Sequence, residues 1–161
     1  MGLLPQALVR AVRRPVLVVR GQTADWPPTS IVIVDGDSLL DRDVALEGAT
    51  LARILAVPAV LVGVSPSVNR AGIEARNDPS LESFRDEARR RAARLEAECG
   101  AEVSSWVTTG VAVEILLGLA SDPRVLVVTG RRLQHHGLGK VVSALLHGAS
   151  GPVLIVPEPS A

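Results

Sequence analysis

The sequence is poor in aromatic, cysteine and lysine side chains. Aromatic residues make up 2% of the 161 residues, tyrosine is missing, and there is one cysteine and one lysine, Lys140. A single cysteine excludes an intrachain disulfide framework and a zinc cluster built from several cysteines. So few aromatic rings argue against a protein that stacks the bases of a single-stranded nucleic acid.

The chain also has no net charge and no apolar run long enough to span a membrane. Seventeen basic side chains balance seventeen acidic ones, which argues against a nucleic-acid or membrane partner bound by charge over the whole surface. The longest apolar stretch, 54–64, contains Pro58 and Gly63 and is shorter than the roughly 18 residues of a membrane span. Polar residues break the N-terminus, so no signal peptide is indicated and we expect a cytoplasmic protein.

Runs of β-branched residues predict the strands. Continuous apolar runs are typical of strands buried on both faces of a parallel sheet, and they occur at 15–19, 31–34, 59–64, 125–128 and 152–156. The segment 103–108 is interrupted by serines and predicts a more exposed strand. Amphipathic patterns predict helices at 39–56, 79–99, 111–120 and 140–149. The alternation predicts an α/β fold, a doubly wound and mainly parallel five-stranded sheet with helices on both faces.

The predicted helix 79–99 has one apolar and one charged side. Its apolar stripe ends at Cys99, which we interpret as a small buried hydrophobe, and Gly100 is expected to end the helix. The arginine run 89–91 has acidic neighbours and predicts a solvated helix face. The irregular segment 65–80 predicts a loop.

The N-terminus repeats the C-terminus at a distance of 137 positions. Pro15-Val-Leu-Val-Val aligns with Pro152-Val-Leu-Ile-Val, and Ala7-Leu8 aligns with Ala144-Leu145. We therefore expect an extra N-terminal helix–strand unit and linker over 1–28, one whole domain over 29–157 and a tail over 158–161. Chance similarity of two Val/Leu-rich segments is the alternative.

Five segments, in order, resemble the universal stress protein family over 29–157. They are IVIVDGDS at 31–38, VLVGV at 60–64, Thr109-Gly110 with the helix that follows, VLVVTGR at 125–131, and the last helix and strand over 138–156. The N-terminal repeat is similar to the end of a second such domain. The resemblance implies a regulatory or stress-response domain that acts by binding.

Some members of this family bind ATP and others do not. The sequence matches only part of the pattern of residues that the ATP-binding members use. Asp35 with Gly36 matches the segment that meets the nucleoside, Val64 matches the adenine contact, and Gly130 matches the first glycine of the phosphate loop. Leu133 replaces the second glycine. Gly139 follows Gly130 by nine positions rather than thirteen, and Lys140 replaces a serine. Glycine lets backbone N–H groups approach phosphate closely, so these changes predict a degenerate or lost ATP site.

The altered loop also concentrates positive charge. Arg131, Arg132 and Lys140, with two histidines, stand near a helix N-terminus, where they predict either an anion site or a solvated basic loop. The predicted cofactor is ATP or another adenine nucleotide, and the alternative is none. The predicted cofactor-binding set is Asp35, Gly36, Val64, Gly130, Arg131, Arg132, Gly139 and Lys140.

Catalytic and metal sites are not indicated. No nucleophile–base pair emerges, and His135-His136 lacks other metal ligands nearby, so binding is favoured over turnover. Two alternatives stay open: an adenine-nucleotide-binding member with slow ATP hydrolysis, and a nucleotide-free module for protein docking or dimerisation. Because the last strand of this family commonly pairs with a partner, we expect 15–19 to pair with 152–156, within one chain or across a homodimer.

Overall fold

The computed structural model describes most of the chain and forms one mixed sheet between helices. The described residues are 4–20, 26–35, 39–65, 79–131, 133–134 and 137–158. The helices are α1 (Leu4–Ala11), α2 (Leu39–Leu55), α3 (Pro79–Cys99), α4 (Ala112–Leu119) and α5 (Lys140–Gly148). The strands are β1 (Val16–Val18), β2 (Ser30–Val34), β3 (Ala59–Ser65), β4 (Val103–Thr109), β5 (Val125–Gly130), β6 (Leu133–Gln134), β7 (Gly137–Leu138) and β8 (Val153–Val156).

The main sheet has six strands in the order β1-β8-β5-β2-β3-β4. Five of them are parallel, and β1 alone pairs antiparallel, with β8. The chain steps from β2 to β3 and β4 on one side, then crosses to β5 and β8 on the other. This confirms the predicted doubly wound α/β fold, with β1 as the extra strand.

Two apolar layers cover the sheet. On one face, buried residues of α2 and α3 pack against Ile31, Ile33 and Leu126. On the other face, α1, α4 and α5 pack against Val32, Val127 and their neighbours. All four residues of β8 are buried, as the continuous apolar run predicted, whereas β4 alternates between buried and exposed positions because it is an edge strand. Cys99, expected to be buried, is partly buried and packs at the margin of the first layer, where α3 ends.

Glycine ends helix α3 and sets the distance between helix α2 and the sheet. Gly100 has φ +67° and its N–H donates to Glu96 O at 2.9 Å, so it ends α3 in the left-handed conformation that glycine favours. A Cβ on Gly48 would lie 2.6 Å from Ile33 Cγ1, so glycine allows α2 to approach β2 closely. The predicted loop at 65–80 falls mainly outside the described residues.

The N-terminal unit belongs to the sheet. Val16 lies opposite Ile155 and Val18 opposite Val153, so the expected pairing of 15–19 with 152–156 is observed within one chain. No helix in the described part of the chain is long and apolar enough to cross a membrane.

Candidate nucleotide-binding site

The predicted site lies at the carboxyl ends of the central strands, where the order of the strands in the sheet reverses. Because β5 and β3 flank β2 on opposite sides, the carboxyl ends of these three strands bring Asp35, Val64 and Gly130 to one edge. Open α/β sheets bind ligands in the crevice at such a switch point. Gly36 and Arg132, also predicted, lie outside the described residues, as do His135 and His136.

Val64 presents its backbone to this edge. Asp35 N–H donates to Val62 O at 2.8 Å, which shows that Val62 faces β2. Backbone groups alternate along a strand, so Val64 faces the same side, beyond the last paired residue of β2. This orientation fits a contact between the backbone of Val64 and a ligand at the end of β2.

The carboxylate of Asp35 is paired with an arginine. Arg91 Nη1, on α3, lies 2.9 Å from Asp35 Oδ1, and the Asp35 side chain is only 5% exposed. Arg91 is itself 27% exposed and also approaches Glu87, at 3.5 Å between Nε and Oε1. Arg91 therefore lies between two carboxylates at the position where the resemblance places a nucleoside.

The surrounding charges keep Glu87 ionised. The hydrogen bonds from the Arg90 guanidinium lower the pKa of the Glu87 carboxyl below its usual value of 4.5, and the charges of Arg91 and Arg94 act in the same direction. Glu87 thus carries its negative charge at neutral pH and helps to hold Arg91 in place.

The prediction that the whole arginine run 89–91 forms a solvated helix face is wrong for Arg91. Arg89 and Arg90 are exposed and pair within α3, as a solvated face predicts, but Arg91 turns toward the sheet. Helical spacing contained a signal for this, because position 91 lies three after Ala88 and four before Leu95, both on the buried stripe. The partner, 56 positions away in the sequence, could not be read from that spacing.

The segment after β5 forms a short hairpin instead of an open glycine loop. Leu133 pairs with Leu138 and Gln134 with Gly137 in an antiparallel ladder. A phosphate-binding loop needs backbone N–H groups that converge on the anion, and hairpin pairing directs such groups toward the opposite strand. This geometry agrees with the loss of the second loop glycine at Leu133.

Arg131, which the sequence predicts as an anion ligand, contacts the end of α1 in the structure, and its contact with an anion stays a prediction. Its side chain is buried, and Nη1 donates to Val12 O at 2.8 Å, Arg10 O at 3.2 Å and Val9 O. These carbonyls end α1, where the negative pole of the helix favours a cation. The described contacts of Arg131 therefore stabilise the N-terminal unit.

Gly139 and Lys140 begin α5 near the hairpin. Gly139 is the N-cap, with φ −56°, so its backbone conformation is open to any residue, and Lys140 is exposed. Their contact with a ligand stays a prediction.

A separate groove of about 360 Å³ opens at the same end of the sheet, beside the carboxyl end of β8. Its walls come from the first half of α2 and from the ends of β1 and β8: Pro15, Asp43, Leu46, Glu47, Thr50, Val156 and Pro157. Its lining includes none of the predicted nucleotide ligands that the structure describes. No group of three or more metal-ligating side chains occurs among the residues that the structure describes.

Comparisons with known proteins agree on the fold. No family model matches the chain, and no curated protein matches its sequence. A universal stress protein in complex with cAMP is 17% identical, with TM-score 0.63 over 82% of this chain and 98% of that one. A universal stress protein family protein from Arabidopsis thaliana with AMP bound is 15% identical, with TM-score 0.56 over 83% and 94%.

A longer relative also covers the N-terminal unit. A universal stress protein from Archaeoglobus fulgidus is 12% identical and has TM-score 0.71 over 98% of this chain, which spans 56% of that one. At these identities the likeness is one of fold. The chain therefore has the universal stress protein fold that its sequence motifs predicted.

Proposed function

We propose that this chain is a cytoplasmic regulatory domain of the stress response that acts by binding, and that its adenine-nucleotide site is degenerate. The observation that carries the proposal is the ion pair between Asp35 and Arg91, which covers the carboxylate expected to meet the nucleoside.

The energetic argument follows from the burial of this pair. A nucleoside that takes the place of Arg91 must break a hydrogen bond between charged groups, worth about 1.5–3 kcal/mol. Each 1.4 kcal/mol corresponds to about a tenfold change in affinity. We therefore expect the pair to weaken nucleotide binding by roughly 10- to 150-fold relative to an open site.

The start of the loop supports the same conclusion. Arg131, the first residue after β5, donates to the end of α1, and the hairpin follows two positions later. Phosphate groups would thus meet neither a run of glycine N–H groups nor the guanidinium Nη1 of Arg131.

Calorimetric titration tests the proposal. ATP, AMP and cAMP would each be titrated into the wild-type chain, into Arg91→Ala and into Arg89→Ala, a matched control that removes an exposed arginine paired with Asp86. We expect weak or undetectable binding to the wild type and to the control, and at least tenfold tighter binding to Arg91→Ala. Micromolar binding by the wild type that Arg91→Ala leaves unchanged would refute the degenerate site.

A functional adenine-nucleotide site, with or without slow hydrolysis, is the second candidate. The backbone orientation of Val64 beyond the end of β2 favours it, and the relatives of the same fold with AMP and cAMP support it. In this case Arg91 would contact the bound nucleotide, so Arg91→Ala would weaken binding. The sign of the change at Arg91 therefore separates the two candidates.

Protein partners stay a prediction. The homodimer expected from the sequence would use strand 152–156, strand 15–19 or both, and β1 occupies the outer edge of β8. In the full chain a homodimer would therefore use the outer edge of β1 at 15–19, and analytical ultracentrifugation of the wild type would test it. Capture of a protein partner without added nucleotide would favour a docking module.

A further inference from the structure

The groove beside the carboxyl end of β8 continues along one face of β1. Leu17 lies opposite Leu154, and opposed residues of paired strands point to the same face of a sheet. Leu154 belongs to the layer that α2 covers, so Leu17 points to the α2 side. Side chains alternate along an extended chain, which puts Pro15 and Val19 on this side as well. Pro15 lines the groove, so Leu17 and Val19 extend its floor.

The floor is buried on β8 and exposed on β1. Leu154 and Val156 are 8% and 4% exposed because they pack in one layer with α2. On the next strand, Leu17 and Val19 are 41% and 50% exposed, so the described helices do not cover this side of β1. Helices cover the faces of such sheets, and a further helix is therefore the element that would complete the layer.

Helix α2 forms the wall of the groove. Its lining residues follow one another at helical spacing: Asp43, Leu46, Glu47 and Thr50. Ile54, four positions after Thr50, continues this row and is 72% exposed. Helix α2 and β1 run in the same direction, since both are antiparallel to the central strands, so Ile54 lies at the same end of the sheet as Val19. The groove thus has exposed apolar side chains on both its floor and its wall.

The groove is acidic at the end where α2 begins. Among the described residues that line it, Asp43 and Glu47 are charged and none is basic. Neither carboxylate forms an ion pair in the described part of the chain, whereas Glu87 on α3 pairs with three arginines. Arg14 and Arg42, next to lining residues in the sequence, are exposed and do not line the groove. A cation at this end therefore meets two carboxylates that no described arginine neutralises.

From these observations we infer that the groove is a docking site for an amphipathic helix of a partner protein. The apolar side of that helix packs on Leu17, Val19 and Ile54, and a basic residue near its end pairs with Asp43 and Glu47. Recognition of this kind uses apolar anchors spaced three and four positions apart. The partner helix is basic at this end because an acidic one would bring like charges together.

The size and position of the exposed floor fit a short helix. From Pro15 to Val19 the chain spans about 13 Å at roughly 3.3 Å per residue, which is the length of a helix of about nine residues. The floor is a face of the sheet, so an extended peptide could not add to it as a strand, which requires an edge. None of Asp35, Val64 and Gly130 lines the groove, so the inference stands or falls separately from the proposed nucleotide site.

A synthetic peptide tests the docking site on the full chain. The probe is an alanine-based helix of about 15 residues, with leucines three and four positions apart and two arginines in its last turn, where a cation stabilises the helix. A control peptide carries glutamine at the two arginine positions. Fluorescence anisotropy of the labelled peptide measures its affinity, and the amide chemical shifts of the isotope-labelled chain locate the contact.

We expect saturable binding of the arginine peptide, with shift changes confined to 16–19 and 43–54. Leu17→Ser with Val19→Thr should weaken this binding by about tenfold, because two apolar contacts are lost. Ile54→Thr removes the apolar contact of the wall, leaves β1 intact and should also weaken binding. Val111→Thr is the matched control, since Val111 is 57% exposed and lies outside the groove, and it should bind as the wild type does.

The charge of the groove is tested with both peptides. Asp43→Asn with Glu47→Gln should remove the preference for the arginine peptide over the glutamine peptide, and Glu98→Gln, at an exposed position of α3, should retain it. Added salt should reduce the same preference, because it screens exposed charges. Equal affinity of the wild type for the two peptides, or binding that neither the β1 variant nor Ile54→Thr weakens, would overturn the inference. So would the lack of saturable binding of the arginine peptide.

Discussion

The replacement of Arg131 by alanine tests the assignment of this residue to the N-terminal unit. In the structure its Nη1 donates to one buried carbonyl, Val9 O, and to two partly buried ones, Arg10 O and Val12 O. A hydrogen bond to a charged group contributes about 1.5–3 kcal/mol, and one that water can replace contributes about 0.5 kcal/mol.

The stabilisation from these hydrogen bonds is partly offset by another nitrogen of the same side chain. Arg131 Nε is buried and makes no hydrogen bond within the described residues, which costs about 1–3 kcal/mol. The net loss for Arg131→Ala is therefore about 1 kcal/mol, which corresponds to a decrease in Tm of about 2–4 °C for a chain of this size.

Urea unfolding followed by circular dichroism measures this loss, with Arg124→Ala as the control. Arg124 is exposed and pairs with Asp122 at 3.6 Å, so its replacement should change the free energy of unfolding by less than about 0.5 kcal/mol. If Arg131→Ala were as stable as the control, Arg131 would not hold α1. If it instead weakened nucleotide binding without a loss of stability, the anion-ligand role predicted from the sequence would be correct.

Three further variants test packing and charge. Gly151→Ala would place a Cβ 2.5 Å from Val125 O, so we expect it to lower stability by more than about 2 kcal/mol in a thermal melt. Gly118→Ala on α4 meets open space and should raise stability by up to about 1 kcal/mol; equal effects of the two glycine variants would contradict the packing. Glu87→Gln should lower Tm at pH 7. Because folding lowers the pKa of Glu87 from 4.5, the difference should shrink as pH falls below 4.5, and a constant difference would rule out this cause.

Most of the fold could be predicted because the buried strands have a distinctive pattern. The runs at 125–128 and 152–156 are apolar on both faces, and only a sheet covered on both sides buries such strands. The repeat at 15–19 predicted the partner of β8 because a segment with the same apolar pattern as 152–156 can pair with the edge that β8 would otherwise leave open. The hairpin at 133–138 was missed, since strands of two residues are too short to show an alternation of period two.

The candidate site was predicted less completely because its contacts join distant positions. The sequence placed Asp35, Val64 and Gly130 at one edge of the sheet, and the strand order brings them together. The pair with Arg91 depends on how α3 lies over the sheet. The contacts of Arg131 with α1 span about 120 positions, and no local pattern encodes them.

The N-terminal unit and the altered loop are physically linked through Arg131. The N–H of Arg131 donates to Val156 O at 2.7 Å, which fixes its backbone at the ends of β5 and β8, and its side chain extends to the end of α1. While Nη1 donates to these carbonyls, it is not directed toward a ligand beyond Gly130. A change that displaces α1 would therefore release the Arg131 guanidinium from these carbonyls and alter the charge near the carboxyl end of β5.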